Sequence, residues 1–325
     1  MTRSRLGRRH GLAALQAGVS LVALGAVIWW ATRQEAPSFP RTGEAAAALL
    51  AALGIYTAAT LLRGERWHRI LEHGGFAVGR GDAYRLTAVG YMGNNVLPAR
   101  SGDLLRAFLL APITGRRKRE LLGTVVAERL LDAAALAVVF AAVALGLLSE
   151  AEIPGGRTVL FGAAGAGLLG LLGFAAVVVI RRVGAFERMR AALRPFAAPS
   201  RALASGHGIA LAVVSVAIWA LEAAVYAAVG RAAGIELSPV EALYVVALTN
   251  LFALIPAAPG YVGTFDAAVL FAVGSLGEGG SDALAYLVLL RFVLFVPITL
   301  VGLVFLVTRY GGWSRFRAAR LETPG

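Results

Sequence analysis

The sequence predicts an all-α polytopic membrane protein with six transmembrane helices and two re-entrant helical hairpins in an inverted repeat. Three observations carry that expectation. Apolar residues are 58% of the chain and charged residues 15%, with a mean hydropathy of +0.73, too little polar surface to clothe a soluble domain of 325 residues. Apolar runs recur at a length of about 20 residues, which as helix crosses a hydrocarbon core of ~30 Å. The charges, finally, are sorted along the chain by sign.

The expected spans are 12–31, 44–62, 121–148, 157–180, 208–230 and 282–308. The first is too long for a signal sequence and lacks a small-residue cleavage site, so it reads as a retained helix. Trp29 and Trp30 near its end suit an interfacial aromatic belt. Gly162 and Ala166 in the fourth form a small-xxx-small pattern that suits close helix packing. The segments 1–10, 63–85, 116–120, 181–201 and 309–325 hold 23 of the 31 Lys and Arg with six acids. Segments 32–44, 149–157, 231–241 and 277–282 hold four bases and eight acids. This positive-inside asymmetry predicts a multi-pass protein of the cell (inner or cytoplasmic) membrane, with its basic N-terminus (1–11) and basic tail (309–325) both cytoplasmic. It also accounts for the net charge of +12 without nucleic acid; the expected partner is the bilayer, whose anionic headgroups attract each surface Lys or Arg by about 1 kcal/mol.

That orientation holds only if residues 82–112 enter and return on the cytoplasmic side and residues 239–276 do so from the outside. Each is interrupted at its middle, by LPARSGD at 97–103 and by IPAAPGYVGTFD at 255–266. Proline removes a backbone donor and glycine permits tight approach, as the turn of a helical hairpin requires. Both interruptions share the pattern P-A-x-x-G, in Pro98 to Gly102 and Pro256 to Gly260, and an acid follows each, Asp103 or Asp266. Span, span, hairpin, span over 12–148 repeats with reversed directions over 157–308, an inverted repeat whose discontinuous helices meet near mid-membrane.

Nine ionisable residues fall in the apolar segments: Arg100, Asp103, Arg106, Glu128, Arg129, Asp132, Glu222, Asp266 and Arg291. Burying one unpaired costs at least ~2.5 kcal/mol, so each needs a partner or a wet cavity. Glu128 and Asp132 share a helix face, and Arg129 and Asp132 are three apart, which suits an internal ion-pair clamp as well as a binding role. Arg100 and Arg106 flank a helix start at Ser101 or Gly102, where free N–H groups and arginine forks match a phosphate. Asp103 is either a cap or a ligand there. Asn94 and Asn95 either satisfy carbonyls of the broken helix or bind a headgroup. Gly260, Gly263 and Thr264 form a second donor-rich loop beside Asp266, and Glu222 is either a partner of Arg291 or a cavity residue. Pro98 and Gly102, with Pro256 and Pro259, are read as structural.

Several chemistries are excluded or unsupported. The sequence has no cysteine and only four histidines, His10, His68, His73 and His207, all in polar flanks, so neither a thiolate nor a histidine metal centre is expected. No P-loop is present, so ATP is not hydrolysed by that route. No cofactor, metal or catalytic residue is predicted.

At NNVLPARSGDLLRAFLL, ERLLD and PAAPGYVGTFDAAVL the chain resembles the lysylphosphatidylglycerol synthase transmembrane-region, or flippase-like, membrane proteins, over roughly residues 12–308. The resemblance implies weight on Asn95, Pro98, Arg100, Gly102, Asp103 and Arg106; on Glu128, Arg129 and Asp132; and on Pro256, Pro259, Gly260, Gly263, Thr264 and Asp266. In the larger members this domain moves an aminoacylated phospholipid that a separate soluble domain makes. Only about eighteen residues follow Val307, so no such synthase activity is expected here. Stand-alone relatives are linked to the handling of lipids such as polyprenyl-phosphate sugars. The expected function is therefore a translocase for a phospholipid or polyprenyl-phosphate-linked lipid, acting on an anionic or phosphate-bearing membrane lipid. Its other expected partners are a second copy of itself or a biosynthetic enzyme. An integral-membrane enzyme acting on a lipid phosphate or lipid-linked sugar, and a non-catalytic subunit of a lipid or glycan biosynthesis complex, are the alternatives.

Overall fold

The computed structural model describes residues 18, 20–37, 39, 41–97, 101–149, 206–253 and 258–312. The expected span at 157–180 with Gly162 and Ala166, the residues Pro98, Arg100 and Pro256, and most of both basic ends lie outside the described residues. Every regular element among the described residues is helical. They are α1 (Ser20–Ala31), α2 (Gly43–His73), α3 (Arg80–Val96), α4 (Gly102–Thr114), α5 (Lys118–Ser149), α6 (Gly206–Ala233), α7 (Pro239–Phe252), a 3₁₀ turn (Pro259–Tyr261), α8 (Thr264–Ser275) and α9 (Gly280–Tyr310).

Helices α2, α6 (from His207) and α9 are long and apolar enough to cross a membrane, at the places expected of the second, fifth and sixth spans. Helix α5, 32 residues long, covers the third. Their outward faces carry large exposed apolar side chains such as Leu50, Ile209, Leu300 and Val304, which in water would be a liability and in lipid are a matched surface. Helix α2 runs on past the expected end of its span to His73. Its buried positions Ala52, Tyr56, Ala59, Arg63, Arg66 and Ile70 alternate in steps of four and three, so one face stays against the core along the whole length. Segment 63–85 is therefore not a solvated cytoplasmic stretch from its start, a correction to the charge map.

Both interrupted segments form helical hairpins. Helix α3 stops at Leu97, which is extended (φ −98°, ψ 146°) because the proline that follows disfavours helical backbone in the residue before it. Gly93 then packs on Gly102 and Gly90 on Arg106, so α4 returns antiparallel to α3. The first free donor of α4, the Gly102 N–H, is accepted by Asn94 Oδ1 across the hairpin at 3.0 Å. In the second hairpin Ser238 caps α7 in a reciprocal box with Glu241, and Tyr244 near its start meets Ser275 at the end of α8 at 2.8 Å, again antiparallel. The break between them adopts positive φ at Gly260 (67°) and Gly263 (86°), positions that favour glycine.

The two breaks touch. A side chain at Gly260 would lie against the Asn95 carbonyl at the end of α3, and Asn95 Nδ2 donates to Thr299 on α9 at 2.9 Å. A methyl group on Gly102 would overlap the Gly90 carbonyl and the Asn94 amide. Gly102→Ala is expected to destabilise the protein by about 1–3 kcal/mol through overpacking. Gly274→Ala, where nothing lies within 4 Å, is expected to leave the melting midpoint in detergent unchanged or raised. Equal melting of the two variants would contradict this packing.

Candidate functional site

Ten charged side chains described within the bundle pair with one another. Three arginines and three acids form a closed ring of alternating sign between α2, α4 and α5. Arg66 Nη1 bonds Asp132 at 2.7 Å and its Nη2 lies 3.5 Å from Glu128. Glu128 also accepts from Arg106, and Arg106 lies 3.2 Å from Asp103. Asp103 is 3.5 Å from Arg129, and Arg129 closes the ring at 3.2 Å from Asp132. Ser215 on α6 gives Arg66 another acceptor at 2.8 Å. The Arg106 guanidinium also lies 4.6 Å from the centre of the Trp67 ring, whose indole N–H bonds Thr124 at 3.0 Å. Each charge has two opposite neighbours, which is the condition under which buried ions are tolerated.

A turn of α2 away, Arg63 bonds Glu222 on α6 at 2.5 Å and faces the Tyr91 ring at 5.6 Å. In the second hairpin Arg291 pairs with Asp266 and reaches the Gly260 and Tyr261 carbonyls at 3.2 and 3.4 Å. Asp266 in turn accepts from the Gly263 N–H at 2.8 Å, and Ser20 of α1 accepts from Ala258 N–H at 2.7 Å. Arg291 and Asp266 thus neutralise each other while satisfying donors and acceptors freed by the broken helix, where an unpaired group is costly.

Where the hairpin breaks meet, a cavity of about 130 Å³ opens near the middle of α2, α6 and α9, lined in part by Tyr56, Tyr91, Asn94, Asn95, Glu222 and Asn250. Tyr226 bonds Thr249 there at 3.2 Å, and Tyr56 donates to the Leu294 carbonyl at 3.0 Å.

Set against the sequence reading, the structure gathers Asp103, Arg106, Glu128, Arg129 and Asp132 into one ring. Asp266 and Arg291 form a second cluster with Gly260, Gly263 and Thr264. Glu222 is not the partner of Arg291 but of Arg63, because α6 packs on α2 and presents its acid there. Asn94 satisfies an N–H of the broken helix rather than a carbonyl, and Asn95 pairs with a hydroxyl. The Gly102 N–H, expected to be open to a phosphate, is occupied by Asn94, while Arg106 is held by Glu128 and Asp103. Sequence reasoning missed Arg63 and Arg66, assigning them to the cytoplasmic flank. The four-three alternation of α2 was the signal that places them on its buried face.

These features define a multi-pass helical membrane protein built around broken helices with an internally neutralised charge network. Residues 15–302 match the lysylphosphatidylglycerol synthase transmembrane region family, and the chain belongs to it. It is also similar to the glycosyltransferase AglD of Haloferax volcanii, 24% identical over 302 residues, an alignment that takes in 80% of this chain and 48% of that protein. The chain thus spans about half the length of that relative.

Removing one partner of a buried pair strands the other charge. Arg63→Met or Glu222→Leu alone is expected to cost about 3–5 kcal/mol, and the double variant less than either, because it leaves no bare ion. Melting in nanodiscs checks this: the double variant should melt above both singles, and a double that melts below them contradicts the pairing.

Proposed function

We propose that the protein is a lipid translocase that moves a phospholipid or polyprenyl-phosphate-linked lipid between leaflets through the cavity between its hairpins. The observation that carries the reading is the placement of that cavity: polar side chains gather near the middle of the apolar helices α2, α6 and α9, where the two breaks meet. A polar pocket at mid-depth is what a headgroup needs on its way through hydrocarbon. The acyl chains stay in the surrounding lipid while the headgroup passes.

In this reading residues 12–148 and 157–308 are inverted repeats, each hairpin returns to its own side, and both termini are in the cytoplasm of the cell membrane. The pairing of a hairpin acid with an arginine on the following helix, Asp103 with Arg129 and Asp266 with Arg291, supports the correspondence of the halves. Arg100, two residues before Gly102 in the sequence, is the proposed phosphate contact. The described arginines Arg63, Arg66, Arg106, Arg129 and Arg291 are held by carboxylates and set the shape of the path. Energy comes from an ion gradient, the lipid's own gradient or a partner.

A second reading is favoured by the similarity to AglD: a membrane component of a glycan-building system, as an enzyme acting on a lipid-linked sugar or as its non-catalytic subunit. Purified protein converting a labelled glycolipid with no second component favours the enzyme.

Proteoliposomes with headgroup-labelled phosphatidylglycerol separate these. Under the translocase reading, an impermeant quencher reaches the whole labelled pool in vesicles with protein and only the outer leaflet in empty ones. Ala253→Trp, which fills the cavity, is expected to restore the protected pool, and Arg100→Ala to slow exchange at least about tenfold, the loss of roughly one charged hydrogen bond. No exchange by the intact protein, with product formed instead, would sink the reading in favour of the enzyme.

A further inference from the structure

We infer that the mid-membrane cavity is a subsite for the uncharged polyhydroxyl part of a lipid headgroup, a glycerol or glycosyl group, with the phosphate held outside it. This rests on the lipid-handling reading above but not on movement between leaflets.

Several of the polar atoms around the cavity are already used within the protein. Asn94 spends its Oδ1 on the Gly102 N–H, so its amide N–H₂ is left as a donor. Asn95 spends Nδ2 on Thr299 and Asn250 spends Nδ2 on the Val246 carbonyl at 2.9 Å, so each keeps an Oδ1 acceptor. Glu222 gives one oxygen to Arg63 and keeps the other. The Tyr91 hydroxyl makes no hydrogen bond among the described residues and serves as donor or acceptor. These four residues and Tyr91 therefore offer three acceptors, one of them a carboxylate oxygen, with an amide donor and a hydroxyl, and Tyr261 adds a phenol to the same wall.

A phosphate oxygen only accepts. Brought here it would meet the two amide oxygens and the carboxylate oxygen, and no cation lines the cavity among the described residues. Arg63 and Arg291 touch lining aromatic rings, but their charge is matched by Glu222 and Asp266. A hydroxyl both donates and accepts, so a run of them fits a mixed set of this kind, and its C–H faces suit the aromatic lining of Tyr91, Tyr226 and Phe265. At about 130 Å³ the cavity takes a headgroup and not a chain.

The test is native mass spectrometry of the purified protein in competition among three probes: dioleoylphosphatidylglycerol, dioleoylphosphatidylethanol and monoglucosyl dioleoylglycerol. The first two carry the same charge and differ in hydroxyls; the third has hydroxyls and no charge. At least one hydroxyl-bearing lipid is expected to be retained about tenfold over phosphatidylethanol. Preference for phosphatidylglycerol alone marks glycerol as the group held, preference for the glucosyl lipid alone marks a sugar, and both bear out the inference. Asn250→Leu and Tyr91→Phe, the latter keeping its ring beside Arg63, should each weaken the preferred lipid about threefold to tenfold and leave phosphatidylethanol unchanged. Phosphatidylethanol held as tightly as both hydroxyl-bearing lipids, or all three weakened alike by both variants, would overturn it. A preserved hydroxyl preference in a protein that moves no lipid in vesicles defeats the translocase reading and leaves this subsite standing.

Discussion

The constraint on which this structure depends is that charge inside an apolar bundle must be cancelled from within. Five acids and five arginines described in the bundle do so, and their pairings dictate which helices lie together. The ring through Arg66, Asp132, Arg129, Asp103, Arg106 and Glu128 ties the first hairpin to α2 and α5. The Arg63–Glu222 pair joins α2 to α6, and Asp266–Arg291 fixes the second hairpin to α9. Such pairs add little net stability over an apolar core but penalise strongly any packing that separates them. They act here as registration marks, and they explain why a chain so rich in alanine and glycine settles on one arrangement.

The second constraint is the backbone. A helix broken at mid-depth exposes N–H and C=O groups that no water reaches, and each needs a protein partner. Asn94, Ser20 and Asp266 accept from the freed donors, while Arg291 serves the freed carbonyls. The same residues that mend the breaks therefore stand at their meeting point. What they leave unused is the set of amide, hydroxyl and carboxylate atoms facing the cavity, so the means of tolerating a broken helix also furnish the polar surface that a headgroup can use.

Much of this was legible in the sequence. The three long apolar runs at 44–62, 208–230 and 282–308 became α2, α6 and α9, because twenty consecutive apolar residues leave a helix few alternatives. Both proline-glycine breaks fell where helices stop, for local steric reasons that need no tertiary information. Arg63 and Arg66 were misread because a basic residue at the end of an apolar run ordinarily marks the cytoplasmic side. Only the continuation of the stripe Ala52, Tyr56, Ala59 through both arginines to Ile70 tells the buried case from the ordinary one. The partner of Glu222 was not legible at all, since it depends on which helix α6 packs against. The cavity was legible only as a guess that two breaks meet, for its lining comes from seven separate elements.

In the proposed architecture the two hairpins dip into the membrane from opposite faces and meet in the middle. The sequence contains no cysteine, so single introduced thiols report position without background. Gly79→Cys and Arg117→Cys stand at the two feet of the first hairpin, and Glu236→Cys and Gly279→Cys at those of the second. An impermeant maleimide applied to intact cells is predicted to label the second pair and spare the first, with the pattern reversed in inside-out vesicles. Feet of one hairpin labelling from opposite sides would make that segment a single net crossing and would contradict the account.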